Sequence, residues 1–155
     1  MIEVKKSSNI ISVTNSDKAE IILDLEKWEA KLGSYDVNFP WEYEKWWILC
    51  EVWEFEWNLY YNFVSEWKHI SFVKENNFEL KNELQKFLNH IDILIINGSK
   101  ETAKLFENIE SKIVIPYWDG AHTFFTTLWQ NPEEQKNLKI KDSISWDNIE
   151  FINLV

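Results

Sequence analysis

The segment YWDGAHTFF places Asp119 three residues before His122, the closest acid–base pair along the chain. A carboxylate at that spacing could orient an imidazole for proton transfer. A nucleophile would have to come from Ser99 or Cys50, and neither sits in the strand-turn-helix setting that exposes a nucleophilic side chain. Asp119-Gly120 is more simply a turn between strands. Asn97-Gly98-Ser99 follows an apolar strand and opens a helix, whose backbone N–H groups could meet an anion. Yet NGSKET lacks the repeated glycines of a dinucleotide loop and the Gly-Lys-Ser/Thr of a phosphate loop. The three histidines, His69, His90 and His122, are far apart, with no i, i+4 pair, so neither a metal site nor a cofactor is expected.

Composition narrows the classes further. The 155 residues suit one domain, 1–155, with its own core. Twenty-six acidic against sixteen basic side chains give a net charge of −10, which argues against binding nucleic acid or an anionic membrane through phosphate contacts. A single cysteine, Cys50, allows no internal disulfide and suits a reducing cytosol. The N-terminal MIEVKKSSNIISVT has no apolar core or cleavage site of a secretory signal, and no apolar run is long enough to span a membrane. These features predict a cytoplasmic protein.

The elements that must position these groups begin with two short β-branched strands, residues 9–14 and 20–23, followed by a short helix to Leu32 capped by Gly33. From Trp41 to Trp67, positions 46, 50, 53, 57, 60, 64 and 67 carry Trp, Cys, Trp, Trp, Tyr, Val and Trp, the spacing of a helical stripe. Strict alternation holds only over residues 53–58, so length decides for one long Trp-rich helix starting after Pro40. Further helices are expected over residues 77–90 and 132–137. The clearest unit is strand 93–96, a helix from its Ser99 cap to about residue 109, and strand 113–115: a βαβ crossover with parallel strands. HTFFTTLW suggests an antiparallel strand and EFINLV another. The expected fold is therefore an α/β single domain, with a mixed sheet of about five strands containing one βαβ unit, packed on the Trp-rich helix and shorter ones.

The run WEYEKWWILCEVWEFEWNLYYNFVSEW concentrates charge as well as tryptophan. Between Trp41 and Trp67 there are six carboxylates against Lys45 alone. Acidic steering and aromatic anchoring are the features of a binder of basic proteins. With its acidic run EYEKWWILCEVWEFEW and its compact segment ILIINGSKETAKLFENIESKIVIP, the chain resembles the small acidic immunity proteins of bacterial toxin systems, those of contact-dependent inhibition and the barstar-type inhibitors. That resemblance implies a non-enzymatic inhibitor that covers a basic toxin, such as a nuclease. Glu51, Glu54, Glu56 and Glu66 would steer and pair, and Trp53 and Trp57 would anchor. Asp142, Asp147 and Glu150 offer another acidic edge. Three alternatives remain: a nucleic-acid mimic that sequesters a DNA-binding protein, a small α/β enzyme with a pocket at residues 97–99 and 119–122, and a module using the Trp cluster as an aromatic box for a small cation.

Overall fold

A computed structural model describes residues 1–141, 144 and 147–155. Asp142, one of the C-terminal carboxylates considered above, lies outside the described residues. In chain order the elements are β1 (Ile2–Ser7), β2 (Ile10–Thr14), β3 (Glu20–Asp24), β4 (Glu29–Leu32), β5 (Tyr35–Asp36), β6 (Trp41–Lys45), β7 (Ile48–Phe55), β8 (Asn58–Ser65) and β9 (Lys68–Val73). There follow α1 (Asn82–Phe87), β10 (Ile91–Asn97), α2 (Lys100–Phe106), β11 (Ser111–Tyr117), α3 (Ala121–Thr127), β12 (Glu134–Gln135), β13 (Asn137–Ile140), β14 (Glu150–Phe151) and β15 (Asn153–Leu154). Among the described residues no helix is long and apolar enough to cross a membrane.

Two large sheets face each other. One has six strands in the order β13-β1-β2-β3-β4-β5, and the other seven in the order β14-β11-β10-β9-β8-β7-β6. Their inner faces interlock through Val4, Ile11, Leu23, Phe63, Phe72, Ile95 and Ile115, all buried. On the outer face of the seven-stranded sheet, Tyr60, Leu94, Ile96 and Val114 pack against Leu84 and Phe87 of α1, Phe106 of α2 and Phe124 and Phe125 of α3. The layers are therefore sheet, sheet and helices. The expected sheet of about five strands is corrected to two larger ones, and the protein is mostly β.

The largest correction concerns the Trp-rich helix, which does not exist. Residues 41–67 form the meander β6-β7-β8, continued antiparallel into β9. Ile48, Cys50 and Val52 are buried while Leu49 and Trp53 are exposed, the period-two pattern of a half-covered strand. The helical stripe was an alias. Each eight-residue strand plus its two-residue turn repeats every ten residues, and ten is also the sum of three, three and four, so positions recurring at that interval trace a helical row as well. β-branched and aromatic side chains then favour the strand.

The turns escaped notice because glycine does not make them. Trp46-Trp47, Glu56-Trp57 and Glu66-Trp67 each have positive φ at both residues, 50° and 64°, 50° and 71°, 50° and 64°. This is the signature of two-residue hairpins that usually carry Asn-Gly. An L-residue with a bulky side chain costs on the order of 1 kcal/mol at such a position.

Other elements also shift type. Residues 25–32 hold a turn and β4 rather than a helix capped by Gly33. The helix expected over 77–90 shortens to α1, HTFFTTLW is the helix α3 instead of a strand, and residues 132–137 contribute β12 and the start of β13 instead of a helix. The βαβ unit forms as read: β10 and β11 pair in parallel from Ile91↔Ser111 to Asn97↔Tyr117, with α2 between them. Ser99 caps α2, accepting from the Thr102 N–H at 3.0 Å while the Thr102 hydroxyl accepts from the Ser99 N–H at 2.9 Å.

Candidate functional site

Three neighbouring strands, β9, β10 and β11, run parallel, and their C-terminal ends open on one end of the sandwich. Crevices outside the carboxyl ends of parallel strands are where such sheets hold ligands. Three segments meet there: Lys74-Glu75-Asn76 after β9, Gly98-Ser99 after β10 and Trp118-Asp119-Gly120 after β11. The Gly98 N–H donates to the Tyr117 carbonyl at 2.9 Å, and a Cβ on Gly98 would lie 2.7 Å from Ala121. The two segments singled out from sequence, 97–99 and 119–122, are thus brought into contact.

Lys74 stands at the centre of this end. Its half-buried ammonium donates to the Trp28 carbonyl at 3.0 Å and lies 5.5 Å from the centre of the Tyr61 ring. Burial lowers its pKa from the ordinary lysine value, and the charges of Glu75 and Glu29 offset that only in part. Three neighbouring side chains are held by hydrogen bonds. Asn97 Nδ2 donates to the Lys74 carbonyl at 2.9 Å, the Tyr117 hydroxyl donates to the Val73 carbonyl at 3.1 Å, and the Tyr61 hydroxyl donates to Asn38 Oδ1 at 2.8 Å. The Trp28 ring rests 5.8 Å from that of Trp118 and 6.5 Å from that of Tyr117. Trp28 and Trp118 both have positive φ, 58° and 74°, a strained state that concentrates at functional sites.

Asp119 and His122 are exposed at the rim, and no hydrogen bond or ion pair joins them among the described residues. Ser99 is engaged in capping α2 and in donating to the Asn76 carbonyl, and so is committed to structure. Cys50 faces the core, where burial pushes its thiol up to about 12. His69 and His90 lie at the opposite end of the sandwich, beside the N-terminal ends of β9 and β10. Among the described residues no group of three His, Cys, Asp or Glu could hold a metal.

The residues expected to bind a partner are not gathered on one surface. Glu51 is half-buried on β7 opposite Glu42 and Asn62, while Glu54 is exposed. Trp53 packs on Phe55 and Phe87, at ring distances of 5.7 and 5.1 Å. Glu56 pairs with Lys81 beside the exposed Trp57, at the Lys74 end. Glu66 lies one strand length away, about 25 Å, where it pairs with the Met1 ammonium at 3.1 Å. Sequence reasoning missed Lys74, Trp28, Tyr61 and Trp118. The detectable signal was the exact ten-residue recurrence of Trp47, Trp57 and Trp67, which marks the turns and so reveals β9 ending at Lys74.

No protein-family model matches the chain, and no curated protein matches it either. A solved structure from Thermotoga maritima, assigned as a Zn-dependent hydrolase of the metallo-beta-lactamase superfamily, superposes with a TM-score of 0.75 at 10% identity, covering 98% of each chain. That likeness overturns the resemblance to contact-dependent-inhibition and barstar-type immunity proteins, and with it the expected non-enzymatic toxin and nuclease inhibitor. Across nearly its whole length, this chain shares the fold of a metallo-beta-lactamase superfamily structure.

Proposed function

We propose that the chain is a small enzyme that binds an anionic substrate at the C-terminal ends of β9, β10 and β11, with Lys74 as the group that holds it. The observation that carries this is the half-buried Lys74 ammonium, whose direct partners among the described residues are a carbonyl and a ring face rather than a carboxylate. A desolvated cation without a bonded counter-ion attracts an anion, and perturbed lysines recur where chemistry is done. The likeness to a chain assigned as a hydrolase supports a hydrolytic reaction. Zinc does not fit the donors present: His122 is at this end, His69 and His90 are at the other, and no cluster completes a ligand set among the described residues.

Lys74 can neutralise a carboxylate or phosphoryl oxygen and, with its lowered pKa, release a proton more readily than an exposed lysine. Asp119 and His122 at the rim are placed to exchange protons with a molecule held there. The indoles of Trp28 and Trp118 form an apolar wall. A cytosolic location belongs to the same proposal and is supported by the single, buried Cys50.

The test is hydrolysis of chromogenic carboxylate-bearing esters and phosphoesters by the purified chain and by Lys74→Met. The variant should raise KM by roughly tenfold or more, the loss of one charge-assisted contact, while melting within a few degrees of the parent. Absence of turnover across the panel by the parent chain, or equal KM in the variant, would refute the assignment.

A further inference from the structure

The opposite end of the sandwich carries a second cleft. The turns Trp46-Trp47 and Glu66-Trp67 both lie there and are two strand spacings apart, about 10 Å. Between them is a cavity of about 340 Å³ with Leu49 and Val64 as its floor, Trp47 and Trp67 as its walls, and Asp17 and Glu44 on its rim. This volume falls within the range of small-ligand sites. Trp46 does not share the role of its neighbour: its ring packs on Gly33 of the other sheet, where an added Cβ would come within 2.9 Å, and so it fixes the turn that projects Trp47.

Two features of these walls call for a ligand. Trp47 and Trp67 are 81% and 94% exposed, leaving their ring faces to solvent. They also occupy the second position of positive-φ hairpin turns, where glycine or asparagine would be better accommodated. Trp57 at the opposite end shares both features; what sets Trp47 and Trp67 apart is the cleft between them. Charge then selects the ligand. Asp17 and Glu44 are exposed and acidic, and among the described residues no basic side chain lines the cleft. Glu66 is already committed to the Met1 ammonium and to Ser16. Two indoles on turns about 10 Å apart, with aliphatic side chains and carboxylates lining the same cleft, match an alkylated ammonium, which is attracted by ring quadrupoles.

We propose that this cleft binds a quaternary ammonium group, sandwiched between Trp47 and Trp67 and drawn in by Asp17 and Glu44. The group could be presented by a free small molecule or by a choline headgroup in a bilayer, and the experiment separates these sources. Titration of the full chain with tetramethylammonium chloride, against sodium chloride at matched ionic strength, is followed through the indole N–H resonances of its ten tryptophans. Saturable shifts are expected in two of them. Trp47→Gly and Trp67→Gly identify those two and should weaken binding about tenfold each, a cation–π loss, while the melting temperature holds or rises because glycine suits the turn. Asp17→Asn and Glu44→Gln should weaken binding a few-fold, more at low salt.

Co-sedimentation with phosphatidylcholine vesicles but not phosphatidylglycerol vesicles would place the group on a membrane, and choline binding without sedimentation would place it on a soluble molecule. Absence of saturable shifts, or shifts that survive in the double glycine variant, would overturn the site.

Discussion

Asp92→Ala is expected to destabilise the chain by about 2–3 kcal/mol, the cost of losing a charge-assisted contact and leaving a backbone donor unsatisfied. Asp92 is on β10 and Lys112 on β11, with side chains 11% and 13% exposed and charged atoms 2.8 Å apart. The second Asp92 oxygen accepts from the His69 N–H of β9 at 2.8 Å. One carboxylate therefore joins all three parallel strands at the end opposite Lys74. Its removal cuts the Lys112 contact and leaves the His69 backbone N–H without its acceptor. Urea unfolding of Asp92→Ala, Lys112→Met and the double variant tests this. The double variant should lose less than the sum of the two single variants, since both remove the same contact. A single-variant loss below about 1 kcal/mol would place this pair with ordinary surface bridges and refute the claim.

Raising the pH above 10 is expected to unfold the protein within two or three units. Burial raises the pKa of Tyr60, Tyr61 and Tyr117 in the fold, with the charge of Glu75 adding to the effect at Tyr60 and Tyr117, and it raises Cys50 to about 12. These are acids kept neutral by folding. Their contribution is fully present below the ordinary values of 9.0 for the thiol and 10.0 for the phenols, and is lost as pH rises toward the folded-state values. Each group withdraws about 1.4 kcal/mol per pH unit within its window, so three phenols withdraw about 4, against a typical total stability of 5–15 kcal/mol. Lys74 acts with the opposite sign: its pKa is lowered by burial, so its penalty eases as pH rises, but it is one group against four. Circular dichroism and tyrosinate absorbance, recorded together through an alkaline titration, should show one coincident transition for the buried phenols. Ionisation of all five tyrosines near pH 10 with the β signal intact would refute it.

The same three tyrosines link stability to the proposed site. Tyr61 lies beneath Lys74, Tyr117 bonds the Val73 carbonyl next to it, and Tyr60 packs against Phe78 in the segment after β9. Alkaline loss of substrate binding should nevertheless precede the loss of fold, because Lys74, its pKa lowered by burial, gives up its charge before the buried phenols ionise.

Local chemistry determined part of this protein directly from sequence. The run DILIIN, the Ser99 cap and the run KIVIPY required nothing beyond neighbouring residues, so β10, α2 and β11 were legible, as was the junction of residues 97–99 with 119–122 that follows from parallel pairing. The acidic balance and the lack of an apolar run long enough to span a membrane also needed no fold. Tertiary structure alone decided the rest. The meander from Trp41 to Val73 pairs residues across ladders such as Leu49↔Val64, and its turns use tryptophan at positive φ, so turn composition gave no sign of where the strands end. Lys74 acquires its character only when Trp28 arrives from the six-stranded sheet and Tyr61 from the adjacent β8, because desolvation depends on what surrounds a charge, and residues distant in sequence supply those surroundings.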